Sequence, residues 1–124
     1  MNFAFEKLDV WHKSMELSVV IYKVTRAFPT HEQFGLTSQI RRAAVSIPVN
    51  IAEGKGRYYT KEFVRFLYNA RGSLYEVVTL LKLAMDLQYL DKPRHQPLMT
   101  SVHLVMSKLS GLINALKQPP ASSL

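Results

Sequence analysis

Seven basic side chains, Arg41, Arg42, Lys55, Arg57, Lys61, Arg65 and Arg71, fall within residues 35–71, a stretch that holds only two acids, Glu53 and Glu62. The flanks are closer to balance, with four bases and four acids in residues 1–34 and five bases against three acids in residues 72–124. The net charge of +7 is therefore regional, and a regional excess of this kind calls for an anionic partner. Lys61 and Arg65 are four apart and share a face if the stretch is helical. Tyr58 and Tyr59 lie between Arg57 and Lys61, a mixture suited to phosphate contact with base stacking. Gly54 and Gly56 let a backbone approach closely. Lys55, Arg57, Lys61 and Arg65 are accordingly the candidate nucleic-acid-binding residues, RNA or DNA, with a solvated basic face as the alternative. Arg41 and Arg42 are expected instead to pair with Glu53, Glu62 or Glu76 inside the fold, or to meet another subunit.

Other chemistries lack their residues. Gly54-Lys55-Gly56-Arg57 has neither the glycine spacing nor the preceding strand of a phosphate-binding P-loop, and a helix cap with a flexible turn explains it better. No two of His12, His31, His95 and His103 are three or four apart, and there is no cysteine, so no metal site and no disulfide is expected. The acids form no i,i+4 pair on an apolar face, and no serine sits in a Gly-x-Ser-x-Gly elbow. The chain reads as a non-enzyme without a cofactor.

These residues must be positioned by helices. Turn signals divide the chain into four segments with helical periodicity, from about Glu6 to Phe28, from about Phe34 to Ala52 or Glu53, from near Thr60 to about Gln88, and from after Pro93 or Pro97 to just before Pro119. Gly54 reads as a left-handed cap of the second segment and Thr60 as the N-cap of the third. The third segment carries one apolar stripe (Phe63, Phe66, Leu67, Ala70, Leu74, Val77, Leu81, Met85), and the fourth another (Leu98, Val102, Val105, Leu109, Leu112, Leu116). The first segment carries two stripes, Leu8, Trp11, Met15, Ser18, Tyr22 and Val10, Leu17, Ile21, Val24, Phe28, which together span about half its circumference. One can face the core while the other faces a second subunit; a tilted helix covered by loops is the alternative. Trp11, Tyr22, Phe28 and Phe34 are read as core or interface anchors. Pro48 falls inside the second segment, where it removes a hydrogen bond and crowds the carbonyl of Ala44 at a cost of roughly 3 kcal/mol. A single kinked helix is favoured over two short ones, with Ser46 and Asn50 serving the backbone groups that the proline frees.

The whole pattern resembles a known family. Leu8-Asp9-Val10-Trp11, Ile21-Tyr22-x-x-Thr25-x-x-Phe28-Pro29, the string from Gly35 to Arg57, and Glu62-Phe63-x-x-Phe66-Leu67-x-x-Ala70-x-Gly72-Ser73-Leu74-x-Glu76 are similar to the bacterial proteins encoded in intervening sequences of 23S ribosomal RNA genes, the S23 proteins. Accessory proteins of diversity-generating retroelements are related to these. The resemblance runs from about Phe3 to Lys117. It implies a four-helix bundle assembled as a homopentameric ring and, for the retroelement members, binding of nucleic acid and of a reverse transcriptase. Many members have glycine where this chain has Gln88, which leaves the turn after the third helix open.

The expected architecture is thus an all-α, antiparallel up-down-up-down four-helix bundle over residues 1–118, followed by a flexible tail at 119–124, acting as a homo-oligomer. Composition (48% hydrophobic, 20% charged) fits a folded domain, and the lack of a secretion signal or a membrane-spanning run points to the cytoplasm. The leading function is a non-enzymatic oligomeric nucleic-acid-binding protein with an electrostatic surface. The alternative is a protein–protein scaffold that docks a partner such as a reverse transcriptase. Trp11, Tyr22, Arg41, Arg42, Pro48, Asn50, Glu53 and Gly54 are assigned structural or interface roles.

Overall fold

The computed structural model describes residues 2–118; the tail expected at 119–124 lies outside the described residues. Among the described residues there are four long helices and no strand: α1 (Asp9–Thr25), α2 (Leu36–Lys55), α3 (Thr60–Asp86) and α4 (Lys92–Lys117). Short 3-10 turns at Ala4–Lys7 and Thr30–Glu32 precede α1 and α2. Packing joins α1 to α2, α2 to α3, α3 to α4 and α4 back to α1, around one apolar core. Contacts between helices tie the late part of α1 to the early part of α2 (Thr25 with Arg41), Asp9 of α1 to Lys108 of α4, and Tyr68 of α3 to Lys117 of α4.

The core follows the helical stripes. On α3 the buried positions are Phe63, Phe66, Leu67, Ala70, Leu74, Val77, Leu81 and Ala84, with Met85 packed beside them. On α4 they are Leu98, Val102, Val105, Leu109 and Ile113, while Leu112 and Leu116 pack half-buried against the cluster. Of the two stripes on α1, Val10, Leu17 and Ile21 face the core; Trp11, Met15 and Tyr22 stay at its edge.

Four boundaries differ from expectation. Helix α1 stops at Thr25, and the turn that follows brings Phe28 back into the core against Tyr89, with ring centroids 5.8 Å apart. Helix α2 begins only after Gly35, which leaves Phe34 91% exposed rather than an anchor of the core. Glu32 accepts the Leu36 backbone N–H at the start of α2 and the Tyr89 hydroxyl at 3.0 Å; these two bonds, the first being the larger effect, hold its carboxyl below the usual glutamate range. Thr60 is the first residue of α3 rather than its cap; Tyr59 holds the cap position, without a side-chain bond. Helix α4 starts before its prolines, with Asp91 accepting the Arg94 N–H. Pro93 lies in the first turn, where its N–H would have no helical partner anyway, and Pro97 is exposed one turn on.

Gly54 is a correction of another kind. No glycine among the described residues has a positive φ, and Gly54 sits within α2, buried. A Cβ there would lie 2.6 Å from the Phe66 Cβ and 2.9 Å from Phe63 Cδ1. The residue is small because α2 and α3 touch at this point, not because the chain turns there.

The left-handed turn occurs at Gln88 instead, with φ of 63°. Its N–H bonds to the Met85 carbonyl, and the Tyr89 N–H bonds to the Ala84 carbonyl, so the last carbonyls of α3 are satisfied by a turn in which glycine would cost least.

Pro48 leaves α2 a single helix. The carbonyl it deprives of an N–H, that of Ala44, lies 3.2 Å from Ser18 Oγ on α1, a hydroxyl that also reaches the Ser14 carbonyl at 3.0 Å. Asn50 donates to the Ser46 carbonyl and hydroxyl at 2.8 and 3.0 Å, and the Ser46 hydroxyl bonds Ser73 of α3. The freed acceptor is therefore served from the neighbouring helix, and Ser46 with Asn50 stitch α2 to α3. Among the described residues, no helix is long and apolar enough to cross a membrane.

Candidate nucleic-acid interface

The short connection between α2 and α3 gathers Lys55, Arg57, Tyr58, Tyr59 and Lys61 at one end of the molecule, and Arg65 follows one turn into α3. All six are exposed. Three of the four expected cations are held against rings of the core stripe. The Arg57 guanidinium lies 4.8 Å from the Phe66 ring centre and that of Arg65 5.6 Å, while the Lys55 ammonium lies 5.6 Å from that of Phe63. A guanidinium resting on a ring face keeps its N–H edge free for anions, and the contact lowers the entropy lost when it binds one. Lys61 and Arg65 line a shallow depression with Glu62, Val64 and Tyr68. Farther along, the Arg71 guanidinium sits 4.8 Å from the Tyr68 ring, and Lys117 from α4 donates to the Tyr68 hydroxyl at 2.9 Å. That donated bond holds the Tyr68 phenol below its ordinary pKa.

Lys117 was not legible in the sequence, since it reaches this face from a helix 49 residues away. The roles of Phe63 and Phe66 were also hidden, because a stripe of apolar residues reads only as core. Among the described residues no three His, Cys, Asp or Glu side chains gather as metal ligands.

Arg41 and Arg42 separate. Neither makes an ion pair with Glu53, Glu62 or Glu76 among the described residues. Arg41 turns to α1, donating through Nε to Thr25 Oγ1 at 2.9 Å and through a terminal nitrogen to the Tyr22 carbonyl at 3.3 Å, with its guanidinium 4.6 Å from the Tyr22 ring centre. The charge thus sits at the C-terminal end of α1, where the helix dipole favours a cation. Arg42 and Glu53 are exposed.

A second surface lies between α1 and α2. Phe5, Trp11, Met15, Val19 and Tyr22 face Val45, Pro48, Val49 and Ala52 across a groove of about 520 Å³. Lys23 and Arg26 complete its lining, with Ser18. The 3-10 turn before α1 lays Phe5 on Trp11, ring centres 5.0 Å apart. The α1 side of this groove is the outer stripe anticipated from the sequence. Its α2 side was missed, although Val45 and Val49, four apart on either side of Pro48, carried the signal.

Comparison with known proteins agrees with this architecture. Residues 6–111 match the family described as 23S rRNA-intervening sequence protein. A solved structure of a protein of unknown function from the S23 ribosomal protein family of Bacteroides thetaiotaomicron is similar, with a TM-score of 0.75 at 24% identity, over 84% of this chain and 97% of that one. That likeness shows a shared fold. No curated protein matches the chain.

Proposed function

The chain belongs to the 23S rRNA-intervening sequence protein family, and from that premise we propose that it is a non-enzymatic, oligomeric protein of the cytoplasm that binds RNA or DNA through its basic end. The observation that carries this reading is the cluster of Lys55, Arg57 and Arg65 seated on Phe63 and Phe66, with Lys61 beside them and no ion pair among the described residues to neutralise it. Exposed cations fixed in place, and spared internal partners, suit the sequence-independent neutralisation of phosphates. The helices are assigned an up-down-up-down course, which the Thr25–Arg41, Asp9–Lys108 and Tyr68–Lys117 contacts support because each joins opposite ends of successive or closing helices.

Assembly into a ring, a pentamer by family resemblance, is supported by the α1/α2 groove. Met15, Val19, Tyr22, Val45 and Val49 are all exposed apolar side chains on one surface, and a contiguous patch of this kind marks an interaction site. The same groove favours a second reading, a scaffold that docks a protein such as a reverse transcriptase without touching nucleic acid. A pull-down in which capture survives nuclease and high salt would support the scaffold.

Binding of the purified, nuclease-treated protein to structured RNA and to duplex DNA across a salt series tests the leading reading. Affinity that falls steeply with salt supports a phosphate-binding surface; no binding even at low salt refutes it and leaves the scaffold.

A further inference from the structure

We infer that the basic end takes unpaired nucleotides rather than a duplex, with Tyr58 and Tyr59 as the stacking surfaces; this deepens the nucleic-acid reading above and rests on it. Tyr58 is 91% exposed and Tyr59 64%, at the tip of the α2–α3 connection. Their ring centres are 4.9 Å apart with planes at 82°, so the edge of one meets a face of the other and the outward faces stay open. The pair packs edge to face while contributing little to the core. Two adjacent aromatic rings left in water forgo the burial that ordinarily stabilises such side chains. A bound base supplies that burial, and every base offers a face regardless of its identity.

The surroundings favour a single strand. In a duplex the base faces are covered by their neighbours, so these rings would meet only sugar and phosphate and gain little. In a single strand the phosphates can reach Arg57, Lys61 and Arg65 while the bases turn onto the tyrosines. From there Lys61, Arg65 and Tyr68 recur at helical spacing along one face of α3, and the Tyr68 ring is flanked by the Arg71 and Lys117 charges. Tyr59 to Tyr68 spans about 14 Å of helix axis, so a strand whose bases turn onto the tyrosine pair can run on along this face to Tyr68.

The test compares a 12-nucleotide uridine homopolymer with an RNA duplex and a DNA duplex of the same length, by fluorescence anisotropy at one fixed salt concentration. The wild-type protein, Y58A/Y59A and Y58F/Y59F are measured side by side. Both tyrosines are exposed, so the substitutions leave the core intact, and the phenylalanine pair keeps the ring faces. The inference predicts tighter binding of the single strand, a loss of at least about tenfold in Y58A/Y59A, near-wild-type affinity in Y58F/Y59F, and duplex affinities within twofold across all three proteins. Duplex bound as tightly as single strand, with no loss in Y58A/Y59A, overturns the inference and leaves a phosphate-binding surface standing. Absence of binding to every probe overturns the nucleic-acid reading itself, and the inference with it.

Discussion

The α2–α3 end and the α1/α2 groove are both aromatic, both open to solvent and both anchored on α2, yet they use their rings in opposite ways. At the α2–α3 end the rings of Phe63 and Phe66 are buried, and their accessible edges and faces serve as seats for Lys55, Arg57 and Arg65. In the groove, Trp11 and Tyr22 form an apolar wall with Met15 and Val19, and the cation that rests on the Tyr22 ring, Arg41, lies outside the groove lining and is tied to α1 by hydrogen bonds. The first surface offers oriented charge, which salt weakens. The second offers apolar area, which salt leaves intact or strengthens. Helix α2 supplies one wall of the groove and, at Lys55, the start of the basic end.

The largest effect is expected in the groove: Val19→Glu combined with Val49→Glu places two charges on the apolar walls while keeping good helix formers, and should reduce the particle mass by light scattering from a multiple of the chain to one chain. A mass unchanged by both substitutions would remove the groove from the subunit contact. Next comes the floor of the basic end. Gly54→Ala drives a methyl group into the Phe63 and Phe66 contact, and overpacking of this kind should cost about 2 kcal/mol in urea unfolding. An unaltered midpoint would mean the two rings yield freely and do not hold the cations in place. Ser18→Ala leaves the Ala44 carbonyl beneath Pro48 without its donor from α1, for an expected loss of about 1 kcal/mol; no loss would mean that this bond contributes nothing net to α2. The smallest change has the opposite sign. Gln88→Gly relieves a left-handed residue far from both surfaces and should raise stability by about 0.5–1 kcal/mol with nucleic-acid affinity untouched. A fall in stability would show that the side chain, not the backbone, governs that turn.

Much of the architecture was written in local pattern. The stripes on α3 and α4 announced their buried faces because burial recurs every three or four residues along a straight helix, and the double stripe on α1 announced both its core face and its groove face. What escaped were features created by contacts between helices. Gly54 looked like a cap because glycine before a basic turn ordinarily is one, whereas its size is dictated by Phe63 and Phe66, nine and twelve positions later in the sequence. The acceptor freed by Pro48 is met by Ser18, 26 residues earlier, and no local rule points to that pairing. Arg41 was expected to pair with a carboxylate or to meet another subunit; within the chain it finds a hydroxyl, a carbonyl and a ring at the end of α1 instead of a carboxylate. Of the site, the cation cluster and its tyrosines could be read from spacing along one connection; the rings that orient the cations, and Lys117 on α4, could not.

The salt dependence of binding by the wild-type protein and by R57A/K61A/R65A, on whichever single-stranded or duplex probe binds more tightly, tests the central claim most directly. Each neutralised phosphate contributes about −0.7 on a single strand and about −0.9 on B-form DNA to the slope of log affinity against log salt. Removal of three contacts should therefore flatten the slope by about 2 to 2.7, with affinity near 0.1 M salt falling by about two orders of magnitude. A variant that keeps both the wild-type slope and the wild-type affinity would contradict the account, since the charge at the α2–α3 end would then have no part in holding nucleic acid.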